Sequence, residues 1–127
     1  MTSKQLIEMA TEVRKNAYAP YSSFTVGAAL LCDDGSVYTG CNIENASFTP
    51  TCCAERVAFF SAVSDGKRAF SKLAVVGGEG ENLRERCYPC GVCRQVMSEF
   101  VDGDFIVVFS DGTELSLGEI LPYGFSM

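Results

Sequence analysis

Sulfur places the strongest constraint on how this chain folds. Cys53-Ala54-Glu55 opens one helix expected from the sequence, and Pro89-Cys90-Gly91-Val92-Cys93 opens another. The thiolates of Cys53, Cys90 and Cys93 can share one metal ion when the two helix starts lie side by side. At a helix start, unpaired N–H groups and the positive end of the dipole stabilise anions. That setting lowers a thiol pKa and favours the thiolate that zinc requires. Three protein ligands leave the fourth position of a tetrahedral zinc open, which distinguishes a catalytic zinc from a structural one. The 127 residues include no histidine, which removes Ser-His-Asp and Cys-His catalysis and every histidine-bearing zinc site. Seven cysteines cannot all pair, and in a reducing compartment clustered thiols more often bind metal or do chemistry. Cys32 and Cys41 read as small buried hydrophobes.

Helices and strands alternate along the chain. Thr2 and Gln5 form a capping box, and Leu6, Ala10, Val13 and Ala17 line one side of a first helix that stops before Pro20. Phe24 to Cys32 leads through Asp33-Asp34-Gly35 into Ser36 to Thr39, a hairpin. Cys41 to Thr51 is a polar connection of the kind that carries function. A second helix is expected from about Cys52 to Ser64, then a buried strand at Leu73 to Gly77 and an exposed charged loop reaching Arg86. A third helix spans about Gly91 to Phe100. Phe105 to Phe109 and Thr113 to Leu117 make a closing hairpin, and Ser116 and Glu119 cap a short last helix. Five strands with helices between them imply a single domain, 1–127, built as a three-layer α/β/α sandwich. Hairpins and crossovers together make its five-stranded sheet mixed.

The residues flanking the sulfurs have roles to match. A glutamate in a first helical turn, taken alone, complements the dipole. Beside three ligands and an open fourth position, Glu55 becomes a general acid/base, able to take a proton from metal-bound water. Three thiolates overcharge a dication, and Arg56 and Arg94 stand where hydrogen bonds to the sulfurs would restore its Lewis acidity. Two other readings compete. Cys87-x-x-Cys90-x-x-Cys93 with Cys52 or Cys53 has the count of an iron–sulfur site, and the same four could close a structural zinc site.

Several ordered motifs resemble the small, three-cysteine cytidine deaminases. They are Ala19-Pro20-Tyr21-Ser22, Phe24-Thr25-Val26-Gly27-Ala28-Ala29, Gly40-Cys41-Asn42-Ile43-Glu44-Asn45, Cys53-Ala54-Glu55-Arg56, Pro89-Cys90-Gly91-Val92-Cys93-Arg94-Gln95 and Leu121-Pro122-Tyr123-Gly124-Phe125. The resemblance implies one zinc on Cys53, Cys90 and Cys93. It also implies water attack at C4 of cytosine with Glu55 protonating N3, giving uridine and ammonia in pyrimidine salvage. It puts Asn42 and Glu44 at the ribose, Phe24 against the pyrimidine, and the Ala54 backbone near the base. Phe125, with Ala46 and Phe48, would reach a neighbouring subunit's site in a homotetramer. Phe48 stands where the family often has tyrosine, which removes one hydroxyl. Deoxycytidine is implied as a second substrate. A blasticidin-type deaminase would share the zinc motifs but lack the Asn42/Glu44 pair.

Charge and hydropathy narrow the partners. Sixteen acidic against ten basic side chains give a net charge of -6, a field that repels a nucleic-acid backbone and suits a small neutral substrate. The longest apolar stretch, Phe24 to Cys32, is too short to cross a membrane, and no apolar signal core follows Met1. A cytoplasmic location is the expectation.

Overall fold

Helix α1 (Ser3–Val13) starts where Thr2 and Gln5 cap one another: Gln5 N donates to Thr2 Oγ1 at 3.1 Å, and Thr2 N donates to Gln5 Oε1 at 2.8 Å. The computed structural model describes residues 1–127. Helix α1 ends earlier than the stripe through Ala17 suggests, tightening into a 3₁₀ turn at Arg14–Asn16. The cause lies downstream, because Tyr18 N donates to Asn42 O at 3.0 Å and draws the chain into extended pairing.

Strands β1 (Phe24–Cys32), β2 (Val37–Cys41), β3 (Phe70–Glu79), β4 (Asn82–Leu83), β5 (Ile106–Val108) and β6 (Glu114–Ser116) form one sheet in the order β2-β1-β3-β5-β6. The β3–β5 pair is parallel and the others are antiparallel, so the sheet is mixed. The parallel pair needs a crossover, which helix α3 (Gly91–Phe100) supplies. The sixth strand departs from the expected five. Part of the loop assigned to Gly77–Arg86 is a short hairpin instead: β3 continues to Glu79 opposite Phe24, and β4 folds back on its end.

Alternating side chains divide the core in two. Leu6 and Ala10 of α1 meet Ala29, Ala74, Val76 and Val108 on one face of the sheet. On the other face, Ala28, Leu30, Leu73, Val75 and Val107 pack under helix α2 (Ala54–Ser64), α3 and the short helix α4 (Leu117–Ile120). Phe59 is the hub of that face, with the rings of Phe70, Phe100 and Phe105 at 5.2–6.0 Å. Three layers result, and the first turns of α2 and α3 lie near one end of the sheet. No helix is long and apolar enough to cross a membrane.

Candidate metal centre and active site

Helix α2 begins two residues later than the sequence suggests, at Ala54 with Cys53 as its N-cap. Cys52 cannot join it because its backbone is paired: Ile43 N donates to Cys52 O and Cys52 N to Ile43 O, both at 2.9 Å. Ile43 is bridged on its other side to Tyr18. The polar connection is thus tied directly to the residue before the first sulfur. Gly40 on β2 lets α2 come close. A Cβ there would fall 2.5 Å from Ala54 O and 2.6 Å from Ala58 N. Ala54 itself is fully buried at this contact.

Cys90 caps α3 by accepting from Cys93 N at 3.4 Å, and Cys93 lies one turn in, buried. The Cys53 and Cys90 sulfurs are 3.8 Å apart and those of Cys90 and Cys93 3.4 Å, with all three within 4.8 Å of one another. Zinc–sulfur bonds of about 2.3 Å at tetrahedral angles put sulfurs about 3.8 Å apart, so this donor set fits one zinc ion. No fourth histidine, cysteine or carboxylate belongs to the group. Cys87 stands apart from it, with its sulfur 2.6 Å from where a Cβ on Gly77 would lie, and burial pushes its thiol up to about 11. Burial raises the Cys52 thiol as well. Neither sulfur belongs to the group of three that converge, so the fold supplies no fourth sulfur for a closed zinc or iron–sulfur site.

The sulfurs are coupled. The Cys93 thiol bonding to Cys53 is the main cause holding Cys53 well below the usual thiol range, with Arg56 adding to it, and the same bond is the main cause raising Cys93. A dication bound by all three would displace that shared proton and leave three thiolates. Arg56 Nη2 donates to Cys53 Sγ at 3.4 Å, and its buried Nε has no partner. Arg94 differs from expectation. Its Nε donates to Pro89 O at 2.7 Å and its Nη1 to Ile120 O at 2.8 Å, so it braces the turn into Cys90 rather than a sulfur. Both are carbonyl oxygens, which accept more strongly than a thiol sulfur.

Glu55 is 4% exposed, the one buried charged side chain, and burial pushes its carboxyl up to about 7. A group poised near neutrality can both accept and give a proton. Phe24, half-buried at the start of β1, has its ring edge 3.0 Å from where a Gly77 Cβ would lie, and the Arg84 guanidinium sits 5.0 Å above its centroid.

Asn42 and Glu44 make bonds that the sequence did not reveal. Asn42 Nδ2 donates to Phe24 O at 2.8 Å and Asn42 Oδ1 accepts from Val26 N at 2.8 Å, so the amide extends the sheet beyond β2. Glu44 Oε1 accepts from Tyr21 N and Ser22 N at 2.9 and 3.1 Å. A cleft of about 330 Å³ lies alongside, lined by Tyr21, Ser22, Glu44, Asn45, Phe48 and Thr51, and by none of the three cysteines. Ala46 and Phe48 are exposed, Phe48 at 80%. Phe125 is 69% exposed, yet Gln95 Nε2 donates to its carbonyl at 2.8 Å and Gln95 Oε1 accepts from its N–H at 3.4 Å. Ser22, Arg84 and Gln95 were not singled out from the sequence as site residues. Ser22 and Gln95 stand inside motifs already quoted, and that position was their only signal.

Residues 1–109 match the family model described as the cytidine and deoxycytidylate deaminase zinc-binding region. A cytidine deaminase of Sporosarcina psychrophila is 48% identical over 130 aligned residues, covering 99% of this chain and 93% of the relative. The crystal structure of a cytidine deaminase from Burkholderia pseudomallei superposes with a TM-score of 0.90 at 46% identity, covering 98% of this chain and all of that one. A blasticidin-S deaminase of Bacillus cereus is more distant, 29% identical over 124 residues, covering 93% of this chain and 88% of the relative. With its three convergent sulfurs, its buried glutamate and these likenesses over nearly its full length, the chain belongs to the cytidine and deoxycytidylate deaminase family.

Proposed function

We propose that this chain deaminates cytidine, and 2′-deoxycytidine with it, to uridine or deoxyuridine plus ammonia. The observation that carries the reading is Glu55, buried and held near neutrality two residues from Cys53 at a site where three sulfurs converge. Cys53, Cys90 and Cys93 would hold one zinc ion, and that ion would supply the Lewis acidity that makes water nucleophilic near pH 7. Glu55 takes one proton from the attacking water and delivers it to N3 of the cytosine ring as the hydroxyl adds at C4. Glu55 then takes the proton of that C4 hydroxyl and passes it to the amino group, so that the C4–N4 bond breaks, the C4 carbonyl forms and ammonia leaves. Arg56 draws electron density from Cys53 Sγ through its hydrogen bond and so moderates the charge of the thiolate set.

Phe24 packs against the pyrimidine, and Ala54, with no side chain beyond Cβ, leaves room for the base beside the helix start. Asn42 and Glu44 address the sugar. Residues 1–127 act as a single cytoplasmic domain in pyrimidine salvage, assembled as a homotetramer in which Phe125, Ala46 and Phe48 complete a neighbour's site. The exposure of Phe48, Tyr123 and Phe125, at 80%, 96% and 69%, supports burial against another copy. Incubating the zinc-loaded protein separately with cytidine and with blasticidin S tests the assignment. Uridine and ammonia in equal amounts from cytidine support it, whereas turnover of blasticidin S alone rejects it.

A further inference from the structure

We propose that Ser22 is a positioning residue, its hydroxyl joining the Glu44 carboxylate to the backbone of Phe24 so that the sugar end and the base end of the pocket act together. The proposal rests on the reading of Glu44 and Phe24 as nucleoside contacts. Ser22 Oγ has one hydrogen, which it donates to Glu44 Oε2. The same oxygen accepts from Phe24 N at 3.0 Å. Ser22 N adds a second bond to the carboxylate, at Oε1 and 3.1 Å, beside that of Tyr21 N at 2.9 Å.

The turn these bonds close is not one the chain adopts freely. Ser23 has φ of 59°, the one positive value outside glycine, and its N–H donates to Ala19 O at 3.0 Å. A side-chain-bearing residue in that region needs its surroundings to hold it there. Glu44 and Ser22 do so from one side. Asn42 grips the far side of Phe24 through the Phe24 carbonyl and Val26 N–H. Phe24 is therefore suspended between the two residues proposed to read the sugar, with Ser22 as the link to one of them.

The bond count also limits what Glu44 can do. A carboxylate offers about four lone-pair positions, and Tyr21 N, Ser22 N and Ser22 Oγ fill three of them. One acceptor position remains, on Oε2, aimed by the Ser22 hydroxyl. Glu44 thus takes a single sugar hydroxyl, and Ser22 decides where that acceptor points.

The test is a double-mutant cycle of Ser22→Ala and Glu44→Ala, with Ser22→Thr as the conservative variant. KM and kcat are measured on cytidine and on 2′,3′-dideoxycytidine, and thermal midpoints are taken alongside. Losing the bond to a charged acceptor should raise the KM of Ser22→Ala for cytidine about tenfold, with kcat within about twofold of wild type. Ser22→Thr should restore KM. In the Glu44→Ala background the serine change should add less than about twofold, and the preference for cytidine over the dideoxynucleoside should shrink in Ser22→Ala. Fully multiplicative effects on KM, or a lower thermal midpoint with unchanged KM, would overturn the positioning role alone. A wild-type KM in Glu44→Ala would instead overturn the sugar-binding reading of Glu44, and the Ser22 proposal with it.

Discussion

Replacing Gly40 with alanine tests whether the close approach of β2 to α2 sets the position of the first sulfur. The new Cβ would stand 2.5 Å from Ala54 O, 2.6 Å from Ala58 N and 2.9 Å from Val57 Cβ. Two of these neighbours are backbone atoms of the first turns of α2, so no side-chain rotation relieves the clash. An ordinary carbon–oxygen separation is about 3.3 Å, so the helix start must retreat by roughly 0.8 Å. Overpacking of this kind costs about 1–3 kcal/mol. For a chain of this size that is a fall in thermal midpoint of roughly 3–15 °C. The retreat shifts Cys53, Ala54 and Glu55 relative to Cys90 and Cys93, and a misplacement near 1 Å costs about a hundredfold in rate. Thermal unfolding of the zinc-loaded protein and kcat/KM on cytidine read the two effects. A Gly40→Ala protein that melts and turns over like wild type would show that α2 is not held by this contact, and the account of how Cys53 is placed would fail.

Other outcomes follow from the same geometry. Glu55→Gln should lower kcat by about 10²–10⁴-fold while retaining one zinc per chain, because the glutamate moves protons and is not a ligand; zinc loss or full activity contradicts this. Cys87→Ser should keep wild-type zinc stoichiometry, since that sulfur packs against Gly77 and not among the three. Arg94→Ala removes two bonds from a charged donor to the carbonyls of Pro89 and Ile120 and should cost roughly 2–4 kcal/mol, read by denaturant unfolding.

The elements legible in the sequence were those specified locally. The Thr2/Gln5 and Ser116/Glu119 capping boxes need only a short stretch of chain, and both form. Helix α3 spans Gly91–Phe100, the bounds expected from the sequence, because Cys90 both ends the loop and caps the helix. What escaped the sequence depends on distant partners. Arg94 reads as a sulfur donor until α4 brings Ile120 O within 2.8 Å. The end of β3 reads as loop because Gly78 and Glu79 carry no strand pattern, and they become strand only opposite Thr25 and Phe24. The bonds that Glu44 accepts from Tyr21 N and Ser22 N escaped the sequence because nothing in its neighbourhood announces that turn. The sulfurs were easier: each sits at or just inside a helix start, so locating the helix starts located them, although the 3.4 and 3.8 Å separations needed the fold.

The central claim is an open, three-sulfur metal site, and X-ray absorption at the zinc edge of the loaded, substrate-free protein tests it most directly. Three sulfurs at about 2.3 Å and one oxygen or nitrogen at about 2.0 Å are predicted, with the same count in Cys87→Ser. Four sulfurs around the metal would contradict the account, because the site would then be closed to water and to substrate.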